Sequence, residues 1–161
     1  MSFKVFIVDD DPAMRQMTQD FLASRYPDAE IFTYANGESA LAELYRKPEV
    51  IILDYHLDSV DRNAMNGIEV LQHMKELLPN VPVIFISGND NPEIAANTIK
   101  YGAYDYITKN ESTFQRLEIM INNSTGHLSV KKQLKTQRAF NLILLILLIA
   151  MVVGFFLTQL L

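Results

Sequence analysis

Five short apolar runs alternate along the chain with longer segments in which apolar residues recur at helical spacing. Several runs are continuous stretches of Val, Ile and Phe, which is typical of strands covered on both faces of a parallel sheet. Strands that alternate with helices predict right-handed βαβ units and therefore an open α/β fold. The predicted strands cover residues 3–9, 30–35, 50–54, 81–87 and 103–108.

Residues that favour helix ends stand between these runs. Asp11 followed by Pro12 predicts an N-cap and a first helical residue, and the spacing of Met14, Met17 and Phe21 predicts an inward face. Later signals are a capping-box pattern at 66–69, an Asn–Pro start at 91–92, a Tyr–Gly stop at 101–102 and Ser112 before the last helix.

Acidic and polar residues stand where the strands end, at the edge where open α/β sheets bind ligands. The first strand ends in Asp9 and Asp10, the third in Asp54 and the fourth in Ser87, and the fifth runs out at Lys109. Clustered carboxylates repel one another, and a hard divalent cation, Mg²⁺ or Mn²⁺, offsets that repulsion while sharing its shell with phosphate oxygens. Asp54 follows a buried run and is the predicted nucleophile that forms an acyl phosphate. Ser87 and Lys109 are predicted to hold phosphoryl oxygens.

Each of these residues by itself has an ordinary structural explanation. Asp9 and Asp10 would fit helix capping, Ser87 a turn, and Lys109 a solvated side chain. Their combination at matching strand ends favours a metal and phosphoryl site, while Asp11 is assigned mainly to capping.

In this order the residues resemble the receiver domain of two-component response regulators, over residues 3 to about 123. The resemblance implies a flavodoxin-like (βα)5 doubly wound parallel sheet of strand order 2-1-3-4-5. It also implies Mg²⁺-dependent transfer of a phosphoryl group from a sensor histidine kinase or a phosphotransfer protein. The match runs through Asp9 and Asp10, Asp54, Ser87 and Gly88, and Tyr106 three residues before Lys109.

The resemblance further implies a metal ligand set. Asp10, Asp54 and the backbone carbonyl of His56 would bind the ion, and Asp9 would act mostly through water. The side chain of His56 itself is expected to be an exposed loop histidine rather than a ligand.

A conformational switch is also implied by the resemblance. On phosphorylation Ser87 would move toward the phosphoryl group and Tyr106 would turn inward, which changes the face formed by the fourth and fifth helices. The resemblance also implies that His56 and Asn89 influence how readily water reaches the acyl phosphate, as residues at these positions do in the family.

The chain departs from the family pattern at two places. Asn110 replaces the usual proline after Lys109, and because a cis bond before a non-proline residue costs about 3–4 kcal/mol, we expect a trans bond there. The segment between Asp54 and Gly67 is several residues longer than usual, and it fits either a partner-recognition or gating insertion or a tolerated surface loop.

The charge is unevenly distributed. Residues 1–126 carry 10 Lys and Arg against 19 Asp and Glu, which argues against nucleic acid as a partner.

Residues 139–161 contain no charge, and as a helix they would extend about 34 Å, enough to cross a hydrocarbon core of about 30 Å. The basic residues just before this segment place the preceding domain in the cytoplasm by the positive-inside rule. They are Lys131, Lys132, Lys135 and Arg138.

These observations predict a receiver domain over 1–124, a basic linker over 125–138 and a transmembrane helix over 139–161. The composition of the linker is also compatible with a helix. The predicted protein is a response regulator of the inner membrane, without a DNA-binding or enzymatic output domain. Its expected partners are a histidine kinase or phosphotransfer protein, membrane lipid, and either a downstream membrane protein or a second copy of itself. The alternatives are a scaffold that works without phosphorylation and a Mg²⁺-dependent aspartyl phosphatase of the haloacid dehalogenase type. For the tail, a buried hairpin partner or a dimer core is the alternative.

Overall fold

Five parallel strands form one sheet of order β2-β1-β3-β4-β5 in the computed structural model, which describes residues 3–57 and 64–125. This confirms the predicted strands, whose ends differ by at most two residues, and the predicted strand order. The elements are β1 (Lys4–Val8), α1 (Pro12–Arg25), β2 (Glu30–Tyr34), α2 (Gly37–Ala42), a 3-10 turn (Leu44–Arg46), β3 (Val50–Asp54), α3 (Gly67–Leu77), β4 (Val83–Ser87), α4 (Pro92–Lys100), β5 (Asp105–Thr108) and α5 (113–125).

The sheet has an apolar core on each face. Strands β3 and β4 are buried along their whole length, which explains why their sequences are continuously apolar. Alternate residues of each strand point to opposite faces. Phe6, Leu53 and Phe85 pack on the side of α2 and α3, whereas Ile52 and Ile84 pack on the side of α1 and α5.

The predicted helix ends are confirmed at α1, α3 and α4. The Asp11 carboxylate accepts a hydrogen bond from Ala13 N at 2.8 Å, and Asn66 forms a reciprocal capping box with Glu69. Asn91 caps α4 in the same way as Asp11 caps α1, through the amide of Glu93.

One helix-face prediction is wrong. Met17 was placed on the inner face of α1, but its side chain is 55% exposed. Thr18 and Leu22, one turn apart, are the fully buried residues of α1, while the predicted Met14 and Phe21 are partly buried and pack against the core that contains Leu22. Thr18 can be buried because its hydroxyl donates to the Met14 carbonyl at 2.9 Å.

The Lys109–Asn110 bond is trans, as predicted, since the described residues contain no cis peptide bond.

Within residues 3–57 and 64–125, no helix has both the length and the apolar character needed to cross a bilayer. The predicted span 139–161 lies outside the described residues, as do most of the linker and residues 58–63 of the long segment after β3.

Gly67 lets the start of α3 approach the end of β3. A Cβ at this position would lie 2.4 Å from the carbonyl oxygen of Asp54 and 2.9 Å from the Cα of Tyr55. The amide of Gly67 also donates to the Tyr55 carbonyl at 3.0 Å. The helix therefore contacts the backbone of the residue that closes β3.

Replacing Gly67 by alanine should lower the free energy of unfolding by about 1–3 kcal/mol, because the methyl group meets backbone that cannot rotate away. Urea unfolding of Gly67→Ala and wild type measures this difference. Gly88→Ala is the matched control, since a Cβ at Gly88 meets nothing within 4 Å. Equal destabilisation of both variants would contradict the packing argument.

Candidate functional site

Parallel strand register brings the candidate residues together at the carboxyl edge of the sheet. Val8 of β1 is aligned with Leu53 of β3, so the next residues along the two strands, Asp9 and Asp54, lie side by side. Ser87 of β4 is aligned with Thr108 of β5, which brings the residue after Thr108 to the same edge.

Asp9, Asp10 and Asp54 form a compact carboxylate cluster. Each offers one oxygen, and these oxygens lie within 4.8 Å of one another. Asp9 and Asp54 are each 5% exposed, so water screens them poorly. At an effective dielectric near 20, each pair of charges at this separation repels by roughly 3–4 kcal/mol.

Lys109 contacts two of the three carboxylates. Its Nζ lies 3.2 Å from Asp9 Oδ2 and 3.2 Å from Asp54 Oδ1. Burial lowers the pKa of the Lys109 ammonium, but attraction to Asp54 and Asp9 outweighs burial, so its pKa is raised overall. The ammonium therefore remains charged and offsets part of the repulsion.

The two acids at the end of β1 hold their protons more tightly than ordinary aspartates. Burial and the nearby Asp54 charge raise the pKa of Asp9 to about 6, although Lys109 and the amide of Asp11 act in the opposite direction. The same two causes raise the pKa of Asp10. One cation is thus too little to neutralise the cluster.

The cluster fits a hard divalent cation. Oδ1 of Asp54 is buried, and among the described residues no group donates a hydrogen bond to it; its contact with Lys109 is an ion pair without hydrogen-bond geometry. Buried carboxylates are costly unless cations or hydrogen-bond donors compensate their charge, and Lys109 supplies a single positive charge to this cluster of three. Closely spaced carboxylate oxygens are the ligands that Mg²⁺ and Mn²⁺ prefer.

Arg15 belongs to this edge but carried no signal in the sequence. Its Nη1 donates to the backbone carbonyl of Asp9 at 2.5 Å, across the turn between β1 and α1. A single arginine on a helix is usually a solvated residue, so only the folded chain shows that Arg15 holds the backbone of an acidic residue.

Ser87, Asn89 and Tyr106 form a hydrogen-bonded group beside the cluster. Ser87 is fully buried, and its Oγ accepts from the Asn89 amide at 3.2 Å. The Tyr106 hydroxyl donates to the Asn89 carbonyl at 2.6 Å, and burial raises the pKa of this phenol. The ring of Tyr106 is 7% exposed and thus already lies inward in this structure. The predicted movement of Ser87 and Tyr106 stays a prediction.

His56 lies two residues after Asp54 with an exposed side chain, and its ring meets that of Tyr55 edge to face at 4.9 Å. Asn89 uses its side-chain oxygen to accept from the Asn91 amide at 2.9 Å. The role of His56 and Asn89 in admitting water stays a prediction, as does metal binding by the His56 carbonyl.

Comparison with known proteins decides the family. The family model for the response regulator receiver domain matches residues 5–122, which includes every residue of the site. The chain belongs to the response regulator receiver family. Receiver domains bind Mg²⁺ at an acidic pocket, and in this chain the acidic cluster is formed by Asp9, Asp10 and Asp54.

Several relatives support this assignment. The nitrogen assimilation regulatory protein NtrX of Azorhizobium caulinodans is 32% identical over 136 residues, covering 84% of this chain and 29% of the relative. The protein-glutamate methylesterase/protein-glutamine glutaminase of Bacillus subtilis is 38% identical over 109 residues, 66% of this chain and 29% of the relative. The crystal structure of the NtrX receiver domain from Brucella abortus superposes with a TM-score of 0.66 and 30% identity, covering 74% of this chain and 96% of that one.

The receiver chain thus spans less than a third of the length of these two full-length relatives. The likeness covers the receiver domain alone, so the activities of the longer proteins are not attributed to this chain.

In metal-free buffer, the stability of this receiver should fall as the pH rises from about 4 to 6. Asp9 has a pKa of about 6 in the folded chain and an ordinary value of 3.8, so the folded chain binds more protons over this range and raising the pH removes that advantage. Asp9→Asn should flatten the decline and raise the unfolding free energy at pH 7 by about 1–3 kcal/mol.

Urea unfolding in EDTA between pH 4 and pH 7 measures this effect. Asp20→Asn, which alters an exposed acid on α1, is the control and should keep the wild-type pH profile. An unchanged slope in Asp9→Asn would contradict the electrostatic account of the cluster.

Proposed function

We propose that this chain accepts a phosphoryl group on Asp54 from a sensor histidine kinase or a phosphotransfer protein and signals through protein–protein contacts. The observation that carries the proposal is the Asp54 carboxylate, buried at the sheet edge with one oxygen lacking a hydrogen-bond donor and Lys109 at 3.2 Å. Membership of the receiver family supports the same role.

The proposed step transfers phosphorus from nitrogen to oxygen. A carboxylate oxygen of Asp54 attacks the phosphorus of a phosphohistidine, the N–P bond breaks, and the leaving imidazole takes up a proton. The product is an aspartyl phosphate. Lys109 stabilises the negative charge that spreads over the phosphoryl oxygens, because its ammonium is already held beside Asp54.

A Mg²⁺ or Mn²⁺ ion held by Asp10, Asp54 and the His56 carbonyl, with Asp9 acting through water, would supply additional charge neutralisation at the phosphoryl oxygens. The close carboxylates of the cluster support this ligand set. Burial of Asp9 and Asp54 keeps bulk water away from the acyl phosphate.

The output is proposed to pass through Ser87 and Tyr106. Ser87 would bind a phosphoryl oxygen, and because its Oγ already accepts from Asn89, that movement would pull on the loop between β4 and α4. Tyr106 contacts the same loop through the Asn89 carbonyl, so movement of either residue would change the surface formed by α4 and β5. His56 and Asn89 would set how fast water hydrolyses the phosphate.

Asp54→Asn should abolish phosphorylation while the variant stays folded, since an amide oxygen is a poor nucleophile. Incubation of the purified full-length chain with acetyl phosphate and Mg²⁺, followed by intact-mass measurement, tests this. Asp105→Asn changes an aspartate at the opposite end of a strand and should be phosphorylated like wild type.

The same measurement separates the alternatives. A wild-type chain that takes up neither a phosphoryl group nor beryllofluoride would support a scaffold that works without phosphorylation. Steady turnover of a phosphate ester that Asp54→Asn retains and Asp9→Asn loses would support an aspartyl phosphatase instead.

We also propose a membrane location. The uncharged residues 139–161 would form a single-pass anchor, the basic residues in 125–138 would hold the receiver domain, residues 1–124, at the cytoplasmic face, and the partner would be a membrane protein or a second copy of the chain. These partners and a signalling role are part of this proposal, and the acidic composition of residues 1–126 argues against nucleic acid as a partner.

Deleting residues 139–161 should move the protein from the membrane to the soluble fraction, because the deletion removes the uncharged segment and keeps the basic one. Cell fractionation with carbonate extraction, followed by immunoblotting, measures the distribution. Replacing the basic residues of 125–138 by glutamine is the second variant, and it should leave the protein in the membrane fraction. Recovery of the full-length chain in the soluble fraction would contradict the anchor.

A further inference from the structure

Thr113, at the start of α5, is a polar residue buried to 2% exposure. Its hydroxyl contacts the backbone on both sides of Lys109. It lies 3.1 Å from the carbonyl oxygen of Thr108 and 2.7 Å from that of Asn110, and it accepts from the Asn110 amide at 2.7 Å. Both carbonyls lie within hydrogen-bond distance of the one proton that this hydroxyl can donate.

Lys109 itself is attached to the neighbouring strand. Its amide donates to the Ser87 carbonyl at 2.7 Å, next to the last pair of the β4–β5 ladder. The peptide groups before and after Lys109 are therefore held by α5, and Lys109 is held by β4. This arrangement fixes the position of the backbone from which the Lys109 side chain extends toward the carboxylates.

We propose that Thr113 is a positioning residue that holds Lys109 against Asp9 and Asp54. The inference rests on the proposed function, because it assigns the geometry of the lysine that stabilises the phosphoryl group. Thr113 acts through Lys109 and touches neither the carboxylates nor the transferred group.

Helix capping explains only part of this bond pattern, namely the bond from the Asn110 amide to the Thr113 hydroxyl, which is the reciprocal half of a capping box. The start of α5 is already capped by Asn110, whose side-chain oxygen accepts from the Ser112 amide at 2.9 Å and from the Ser112 hydroxyl at 2.7 Å. Thr113 adds a bond toward Thr108, which lies in β5 and not in the helix. That bond connects the helix start to the strand end from which Lys109 projects.

The test compares variants of the full-length chain in phosphorylation by acetyl phosphate with Mg²⁺. Thr113→Val keeps the shape and removes the hydroxyl, and we expect about tenfold slower phosphorylation, since small displacements of a charge-stabilising group have effects of this size. Thr113→Ser restores the hydroxyl and should return the rate to near the wild-type value. Thr98→Val is the matched control: Thr98 is fully buried and donates to a carbonyl of its own helix, so its loss should affect stability alone.

A double-mutant cycle shows whether Thr113 acts through the lysine. In a Lys109→Met background, Thr113→Val should cause no further slowing, because no ammonium is left to position. Amide hydrogen exchange in metal-free buffer gives a second readout. The Lys109 amide bonds to Ser87 and not to Thr113, so faster exchange at Lys109 in Thr113→Val reports movement of the lysine backbone.

The inference would be overturned if Thr113→Val were phosphorylated at the wild-type rate and its Lys109 amide exchanged as in wild type. It would also be overturned if Thr113→Val slowed phosphorylation equally in the wild-type and Lys109→Met backgrounds, or if Thr98→Val slowed it as much as Thr113→Val. A wild-type chain that is not phosphorylated would overturn the proposed function, and the exchange measurement would then decide whether Thr113 holds Lys109.

Discussion

The ion pairs from Lys109 to Asp9 and Asp54 are the interactions on which the site depends. Without a cation, buried carboxylates within 4.8 Å of one another would be driven apart or protonated. With Lys109 at 3.2 Å from two of them, the cluster keeps its shape but remains short of positive charge, as the raised pKa of Asp9 shows. The fold thus keeps in place an excess of negative charge that a divalent cation can neutralise.

The rest of the fold keeps these charges at their positions. The buried strands β3 and β4 carry Asp54 and Ser87 at their carboxyl ends, and a shift of either strand toward its amino end would draw that polar residue into the apolar core. Gly67 packs α3 against the backbone of Asp54, and α5 contacts the strand end beside Lys109 through Thr113. Helices on both faces therefore hold one edge of the sheet.

Predictions from the sequence succeeded where a feature has a strong local cause. Asp11 and Asn66 were identified as caps because side-chain oxygens at those positions satisfy amides that have no partner within the helix. The prediction that Met17 lies on the inner face of α1 failed, because hydrophobic spacing does not show that the neighbouring Thr18 can bury its hydroxyl against its own helix. Helix α2 was not predicted, because its six residues are too few for a helical period to be recognised.

The sequence by itself determined the succession of the five strands and of four of the five helices, the strand-end positions of Asp9, Asp54, Ser87 and Lys109, and through their pattern the family. These depend on local periodicity and on the rule that parallel strands end at a common edge. Tertiary structure decided the roles of Arg15 and Thr113, the inward Tyr106 and the 3.2 Å contacts of Lys109. Those contacts join residues from different elements, and their distances depend on packing that no local pattern encodes.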